Sequence, residues 1–256
     1  MPPAVHPAAH PVVHRVPAFA DNYIWLYEYR PGTVAVVDPG DAKPVLAAVA
    51  AKGLAVSHIL NTHWHGDHTG GNLALKEATG CAILGPARER AKIPGLDRPL
   101  DDGDEILLGQ EDGPERGEVR GEVLFVGAHT MGHIAYHFAA AKLLFPGDTL
   151  FAMGCGRLFE GDADDLFAAL AKLQRLPADT RVFCAHEYTL GNARFALTVE
   201  PENAALQARY AKVQELRARE RPTVPFTLGE ELDTNPFLRS RNAAELGKLR
   251  RAKDAF

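Results

Sequence analysis

The run Thr62-His63-Trp64-His65-Gly66-Asp67-His68 constrains this chain more than any other feature. It places four metal-ligand side chains within six residues, directly after the apolar segment Ala55–Leu60 and directly before Gly70 and Gly71. That is the layout of a loop that leaves a strand and enters a helix. Imidazole and carboxylate bind zinc, iron and manganese. A single loop cannot complete the coordination of an ion, so the fold must bring further ligands to it from distant segments.

The chain has 256 residues, 46% of them hydrophobic and 24% charged, an ordinary globular balance with ample material for one or two domains. A net charge of -5 argues against a general nucleic-acid binder. No apolar stretch reaches the ~18 residues of a membrane span. The first residues lack a basic start followed by an apolar run, so no secretory signal is expected. Cys81, Cys155 and Cys184 are too few and too irregular for a disulfide framework, which leaves a reducing, cytoplasmic setting as the default.

Strand-like and helix-like segments alternate over the first two thirds. Ile24–Tyr29 and Thr33–Val37 read as a hairpin around Pro31-Gly32. Lys43–Ala51 reads as a helix stopped by Gly53. Val56–Leu60, Cys81–Leu84, Glu105–Leu108, Val123–Val126, Leu143–Phe145 and Arg181–Cys184 read as strands, and Asn72–Ala78 and Asp164–Gln174 as helices. The charged stretch Gln110–Glu122 is expected to be a solvated hairpin loop. His6, His10 and His14 recur every four residues, but Pro7 and Pro11 exclude a helix there, so a disordered tail is expected over residues 1–12. After Tyr188 the composition turns helical, with Glu202–Glu220, a capping-box spacing at Thr227 and Glu230, and Ala243–Ala252. A mixed α/β domain over residues 13–186 and a helical domain over 187–256 is the simplest reading.

Residues two apart in an extended loop point the same way, so His63 and His65 suit one ion. Asp67 and His68 point elsewhere and suit a second. His129, Asp148 and His186 each follow a predicted strand, as the His loop does, and sheets gather such ends along one edge. Each of the three alone is as readily a surface residue or a cap; the cluster at 63–68 is what makes them ligand candidates. Together they give five His and two Asp, enough for two ions roughly 3.5–4 Å apart. His58 lies inside a predicted strand and is expected in the core or just behind the site. His133 and His137 flank a predicted strand start, and His133 is expected to hydrogen-bond close to the site.

With these residues assembled, the chain resembles the metallo-β-lactamase superfamily. It resembles most the hydroxyacylglutathione hydrolase (glyoxalase II) family, along nearly its whole length. The narrower likeness rests on Pro17–Tyr23, Gly154–Gly161, His186–Thr189, Thr234–Arg239 and Arg250–Asp254 as well as the metal loop. The resemblance implies an α/β fold, an αββα sandwich followed by a C-terminal all-helical domain that helps bind glutathione. It implies two divalent ions, zinc first and iron or manganese as alternatives. His63, His65 and His129 would hold one ion and Asp67, His68 and His186 the other, with Asp148 bridging. Arg157, Phe159, Tyr188, Arg250 and Lys253 would receive the glutathione part. Arg157 and Phe159 stand where some relatives have Lys and Tyr, and Trp64 and Gly66 replace a His and a bulkier residue.

These expectations amount to a thioesterase that acts on S-(2-hydroxyacyl)glutathione, chiefly S-D-lactoylglutathione, releasing glutathione and D-lactate in methylglyoxal detoxification. A water between two ions loses its proton readily, and Asp67 and Asp148 would orient the resulting hydroxide. Cys155 reads as a packed small residue. Between Phe237 and Phe256, six Lys or Arg face two acidic residues, a balance that suits the two carboxylates of a glutathione moiety. The alternative is an iron-dependent glutathione persulfide dioxygenase of the same superfamily, which needs fewer ligands. A secreted β-lactamase, a nuclease and a non-catalytic metal module each leave more of these features unexplained. A monomer with a small-molecule substrate, and no nucleic-acid or membrane partner, is the default.

Overall fold

The computed structural model describes residues 11–109 and 118–256. Two six-stranded sheets pack face to face. The first runs in chain order through β1 (Val12–Ala18), β2 (Asn22–Arg30), β3 (Thr33–Val37), β4 (Ala55–Leu60), β5 (Ala82–Pro86) and β6 (Arg98–Leu100). Its first three strands are antiparallel and β3 to β6 are parallel. The parallel steps carry the helices α1 (Ala42–Lys52), α2 (Gly66–Thr69) and α3 (Asn72–Thr79).

The second sheet contains β7 (Glu105–Leu108), β8 (Val119–Phe125), β9 (Ile134–Phe138) and β10 (Leu143–Phe145). A small hairpin, β11 (Leu150–Phe151) and β12 (Gly154–Cys155), and the helix α4 (Ala163–Leu173) follow. β13 (Arg181–Val182) then returns beside β10 in parallel. The chain continues with α5 (Thr189–Val199), α6 (Ala204–Ala218), β14 (Phe226–Thr227), α7 (Leu228–Thr234) and α8 (Ala243–Asp254). β14 pairs with β13, so the helical C-terminal region contributes one edge strand to the second sheet.

The period-two alternation of β2 explains the layering. Tyr23, Trp25 and Tyr27 point between the sheets, into one core with Phe138, Phe145 and Phe183. Ile24 and Leu26 point the other way and pack with Val45 and Val49 of α1 and Leu75 of α3. α4 adds Leu166, Leu170 and Leu173 to the first cluster. Helix ends follow local chemistry. Asp41 caps α1, and Gly53 closes it with φ +65. Thr227 and Glu230 form the reciprocal capping box of α7.

Three expectations change. His14 belongs to β1, where its Nε2 lies 2.8 Å from Glu28 Oε2 across the β1–β2 pair, and Val12 already opens that strand. His6, His10 and the rest of the first ten residues lie outside the described region. Of the stretch expected as a loop, Val119–Glu122 belongs to β8 and residues 110–117 lie outside the described region. α5, directly after the last site histidine, had no counterpart in the sequence reading.

Candidate metal centre

Five strands end on one edge of the sandwich, and the loop after each delivers polar side chains there: Asp38 after β3, His63–His68 after β4, His129 after β8, Asp148 after β10 and His186 after β13. Backbone contacts fix the loops to one another. Ile134 N–H donates to Thr62 O at 2.9 Å, and the Tyr136 hydroxyl donates to Asn61 O at 2.7 Å. The turn before Asp148 depends on Gly147. Its φ is +50, and a Cβ there would stand 2.3 Å from Thr62 Oγ1.

His63 Nε2 and His129 Nε2 each lie 3.0 Å from His65 Nδ1. The rear nitrogens decide what these atoms are. Thr62 Oγ1 donates to Asp38 Oδ2 at 2.7 Å and lies 3.0 Å from His63 Nδ1, so His63 Nδ1–H is the donor there. His129 Nδ1 lies 2.8 Å from Arg157 O, which only accepts. Both rings therefore present a bare Nε2 lone pair inward. Burial holds His63 well below its ordinary pKa, and burial lowers His129 and His65 as well. Neutral imidazoles are the form that ligates a metal.

The second group is more highly charged. Asp67 Oδ2 lies 3.4 Å from His68 Nε2 and 3.5 Å from His186 Nε2. Asn22 Nδ2 donates to Asp67 Oδ2 at 3.0 Å, and His186 Nδ1–H donates to Asp21 Oδ1 at 2.9 Å. Asp148 stands between the groups. Its Oδ1 faces His186 and His68 at 3.4 and 3.6 Å, and its Oδ2 faces His129 at 3.5 Å. Burial opposes its charge, but the imidazoles of His68, His186 and His129 outweigh that and hold the Asp148 carboxyl far below the usual range. Burial also opposes charge on His68, where Asp148 and Asp38 prevail and raise its pKa.

The donor sets fit metal ions. Two ligands about 2.1 Å from a tetrahedral ion stand about 3.4 Å apart, which is the separation found around Asp67 and Asp148. His68 Nε2 and Asp148 Oδ1 are buried without a hydrogen-bond partner, a costly arrangement that a cation would relieve. Two triads, His63/His65/His129 and Asp67/His68/His186, each converge within 4.8 Å. Asp38, His63 and His68 also converge, but Asp38 sits behind the rings. It accepts from Thr62 N at 2.7 Å as well as from the Thr62 hydroxyl.

The site opens on a cavity of about 910 Å³. Arg157, Phe159, Tyr188, Arg250 and Lys253 line the same cavity, together with His65, Asp67, His129, Asp148 and His186. Tyr188 stacks on His186 at 4.7 Å and 5°. Phe159 meets His129 edge-on at 5.1 Å. Arg250 is 4% exposed and donates to Cys155 O at 2.7 Å and Asp254 Oδ1 at 2.9 Å, so it also ties α8 to β12. Cys155 is buried, and burial pushes its thiol up to about 11, as suits a packing residue. His133 accepts from Asp148 N–H at 3.1 Å and stacks on His63, which is the hydrogen bond near the site that its sequence position suggested. His58 and His137 are buried on β4 and β9.

Sequence reading missed the supporting residues Asp21, Asn22 and Asp38. Asp38 had a signal, because it follows β3 in Asp38-Pro39-Gly40 as the other site residues follow their strands. Asp21 and Asn22 lie in a segment noted for its family likeness, without an assigned role.

Comparisons with known proteins cover both regions of the chain. The metallo-beta-lactamase superfamily matches residues 19–186, and the C-terminal region of hydroxyacylglutathione hydrolase matches residues 187–256. The chain is 49% identical to a hydroxyacylglutathione hydrolase of Methylococcus capsulatus, over 94% of this chain and 97% of that one. It is 54% identical to one from Pseudomonas aeruginosa, over 89% and 85%. Its fold is that of the crystal structure of ETHE1 from Myxococcus xanthus, with TM-score 0.69 and 22% identity over 94% of this chain and 90% of that one. Matches that run through both the strand-end loops and the helical C-terminal region place the chain in the hydroxyacylglutathione hydrolase family of the metallo-beta-lactamase superfamily.

Proposed function

We propose that this protein hydrolyses S-(2-hydroxyacyl)glutathione thioesters, S-D-lactoylglutathione first among them, with two divalent ions, zinc before iron or manganese. The observation that carries the reading is Asp148, whose two oxygens face different triads in a cavity that Arg157, Arg250 and Lys253 also line. His63, His65 and His129 would hold one ion and Asp67, His68 and His186 the other, with Asp148 shared. When bound, such a pair supplies Lewis acidity and lowers the pKa of water.

The remaining work falls to the chain. Asp67 and Asp148 stay ionised and orient the attacking water. Arg157 and Lys253 attract the glutathione carboxylates, Arg250 supports them from below, and Phe159 and Tyr188 border the thioester. Water oxygen bonds to the acyl carbon, the C–S bond breaks, and glutathione leaves as its thiolate. The protons of the water pass to solvent, from which the thiolate can take one back. The single-ion alternative, a glutathione persulfide dioxygenase, gives no use to Asp67, His68 and His186 as a complete second set. A catalytic unit over residues 13–186 and a glutathione-binding unit over 187–256 suit this division of labour. So does a monomer in a reducing cytoplasm, where the buried, free Cys81, Cys155 and Cys184 remain thiols. Hydrolysis of S-D-lactoylglutathione, measured with metal content, tests the reading. Asp148→Asn is expected to lose roughly a thousandfold in kcat, about 4 kcal/mol of transition-state stabilisation. Full activity in that variant sinks the shared role.

A further inference from the structure

Metal-ligating histidines usually have the rear ring nitrogen hydrogen-bonded, which fixes the ring. His63 has Thr62, His129 has Arg157 O and His186 has Asp21. His65 differs. Both of its short contacts use Nδ1, and among the described residues its Nε2 has no hydrogen bond. Two flanking rings meet it edge-on instead: Trp64 at 4.7 Å and 68°, and Phe159 at 5.7 Å and 80°.

One carboxylate holds the Trp64 ring and belongs to the residue next to Phe159. Glu160 Oε1 accepts from Trp64 Nε1 at 3.1 Å and from Lys92 Nζ at 3.2 Å, while Oε2 accepts from Met131 N at 2.8 Å. Lys92 Nζ also lies 4.3 Å from the Trp64 ring centroid, a cation–π contact. Glu160 is the residue after Phe159, and Met131 lies two residues beyond His129. The carboxylate thus joins the metal loop, the β8–β9 loop and the Phe159 loop. Glu89 backs this arrangement from beneath, accepting from Gly132 N at 2.9 Å.

We propose that Glu160, through Trp64 and Lys92, is a positioning residue that does for His65 what a rear hydrogen bond does for His63, His129 and His186. It fixes His65 Nδ1 against His63 and His129 through the rings on either side. The proposal rests on the reading that this triad holds an ion, and it gives Trp64 a purpose in the loop.

The test is zinc binding to the metal-stripped full chain, by competition with a chromogenic chelator. Glu160→Ala is expected to weaken one of two zinc equivalents by roughly tenfold or more and to make Trp64 fluorescence more open to acrylamide quenching. Trp25 is buried and contributes a constant background. Trp64→Phe keeps the ring and loses the Glu160 bond, so a smaller loss is expected. Lys92→Met, at an exposed position, is expected to act in the same direction with the fold intact. Unchanged zinc affinity in folded Glu160→Ala overturns the proposal, even if its melting temperature falls. A wild type that binds no zinc overturns the triad reading itself, which separates the two failures.

Discussion

The floor and the wall of the cleft are built differently. On the floor, His63, His68, His129, Asp148 and His186 are each at most 7% exposed, and most are held by a second residue behind them. On the wall, Phe159 is 62% and Tyr188 40% exposed, and Arg157 is largely exposed and held only by a long contact to Asp254 at 3.9 Å. Arg250 is the exception on that side. The floor is therefore set by the fold before anything binds, whereas the wall can adapt to what arrives. Changes in the floor should alter metal affinity and kcat, and changes in the wall should alter KM.

The sharpest way to break that contrast is Asp38→Asn. Asp38 sits at φ +51, a conformation that Asn tolerates, so the fold should survive. An amide in place of the carboxylate offers only one acceptor oxygen for Thr62 N–H and its hydroxyl. Its NH2 competes with His63 Nδ1–H for Thr62 Oγ1, so the inward lone pair of His63 is no longer guaranteed. Zinc affinity is expected to fall about 10- to 100-fold. Unchanged affinity by chelator competition means the floor is not set from behind.

Arg250→Met tests the exception. The apolar side chain can keep the packing against Phe237, but Cys155 O and Asp254 lose a buried charged donor. A loss of about 2 kcal/mol in unfolding free energy is expected, read from urea midpoints, together with a raised KM and intact zinc content. A raised KM without loss of stability would make Arg250 an ordinary wall residue.

How much of this contrast the sequence carried follows from what each residue needs to be recognised. The candidate ligands of the floor are rare residue types at strand ends, so His63, His65, Asp67, His68, His129, Asp148 and His186 stood out. Their supports did not, because Asp21, Asn22 and Glu160 act through tertiary hydrogen bonds with no local spacing. β1 was hidden by His14 and Pro17 in a Pro-rich context. Its real signal was burial at Val16 and Ala18, alternating with exposed Arg15 and Pro17, and Pro is tolerated because β1 is an edge strand. α5 contains Gly191 and Asn192, poor helix formers, which packing of Ala193, Phe195 and Ala196 overrides. Composition marked Arg250 and Lys253 as a basic pair but could not separate the buried one from the accessible one.

Lys253 gives a smaller, pH-dependent effect on the wall. Burial lowers its pKa, and the nearby Arg250 and Arg157 charges lower it further. The ammonium is charged below its pKa, so its charge is lost at lower pH than for a free lysine. Between the lowered value and 10.5 the folded protein binds fewer protons than the unfolded chain, so this group's contribution to stability becomes more favourable as pH rises. Affinity for an anionic substrate moves the other way. KM is expected to climb roughly two- to fivefold on the alkaline side, with kcat unaffected by this group. Lys253→Arg should flatten the climb, because a guanidinium stays charged. A climb that persists in Lys253→Arg assigns it elsewhere.

The smallest effect probes the floor again, from the solvent side. Gly66 opens α2 between His65 and Asp67 and lines the cavity, and a Cβ there would meet nothing within 4 Å. Its backbone lies outside the positive-φ region, so alanine needs no strain. Gly66→Ala should stabilise the fold by about 0.4–1 kcal/mol by restricting the unfolded chain, seen as a slightly higher melting temperature. Because Thr62, Asp38, Asn22 and Asp21 hold the neighbouring site residues from behind, a methyl group added in front of them should leave zinc affinity unchanged. A shift in affinity from so small an addition would mean that backbone freedom at Gly66, rather than the hydrogen bonds beneath it, sets the ligand geometry.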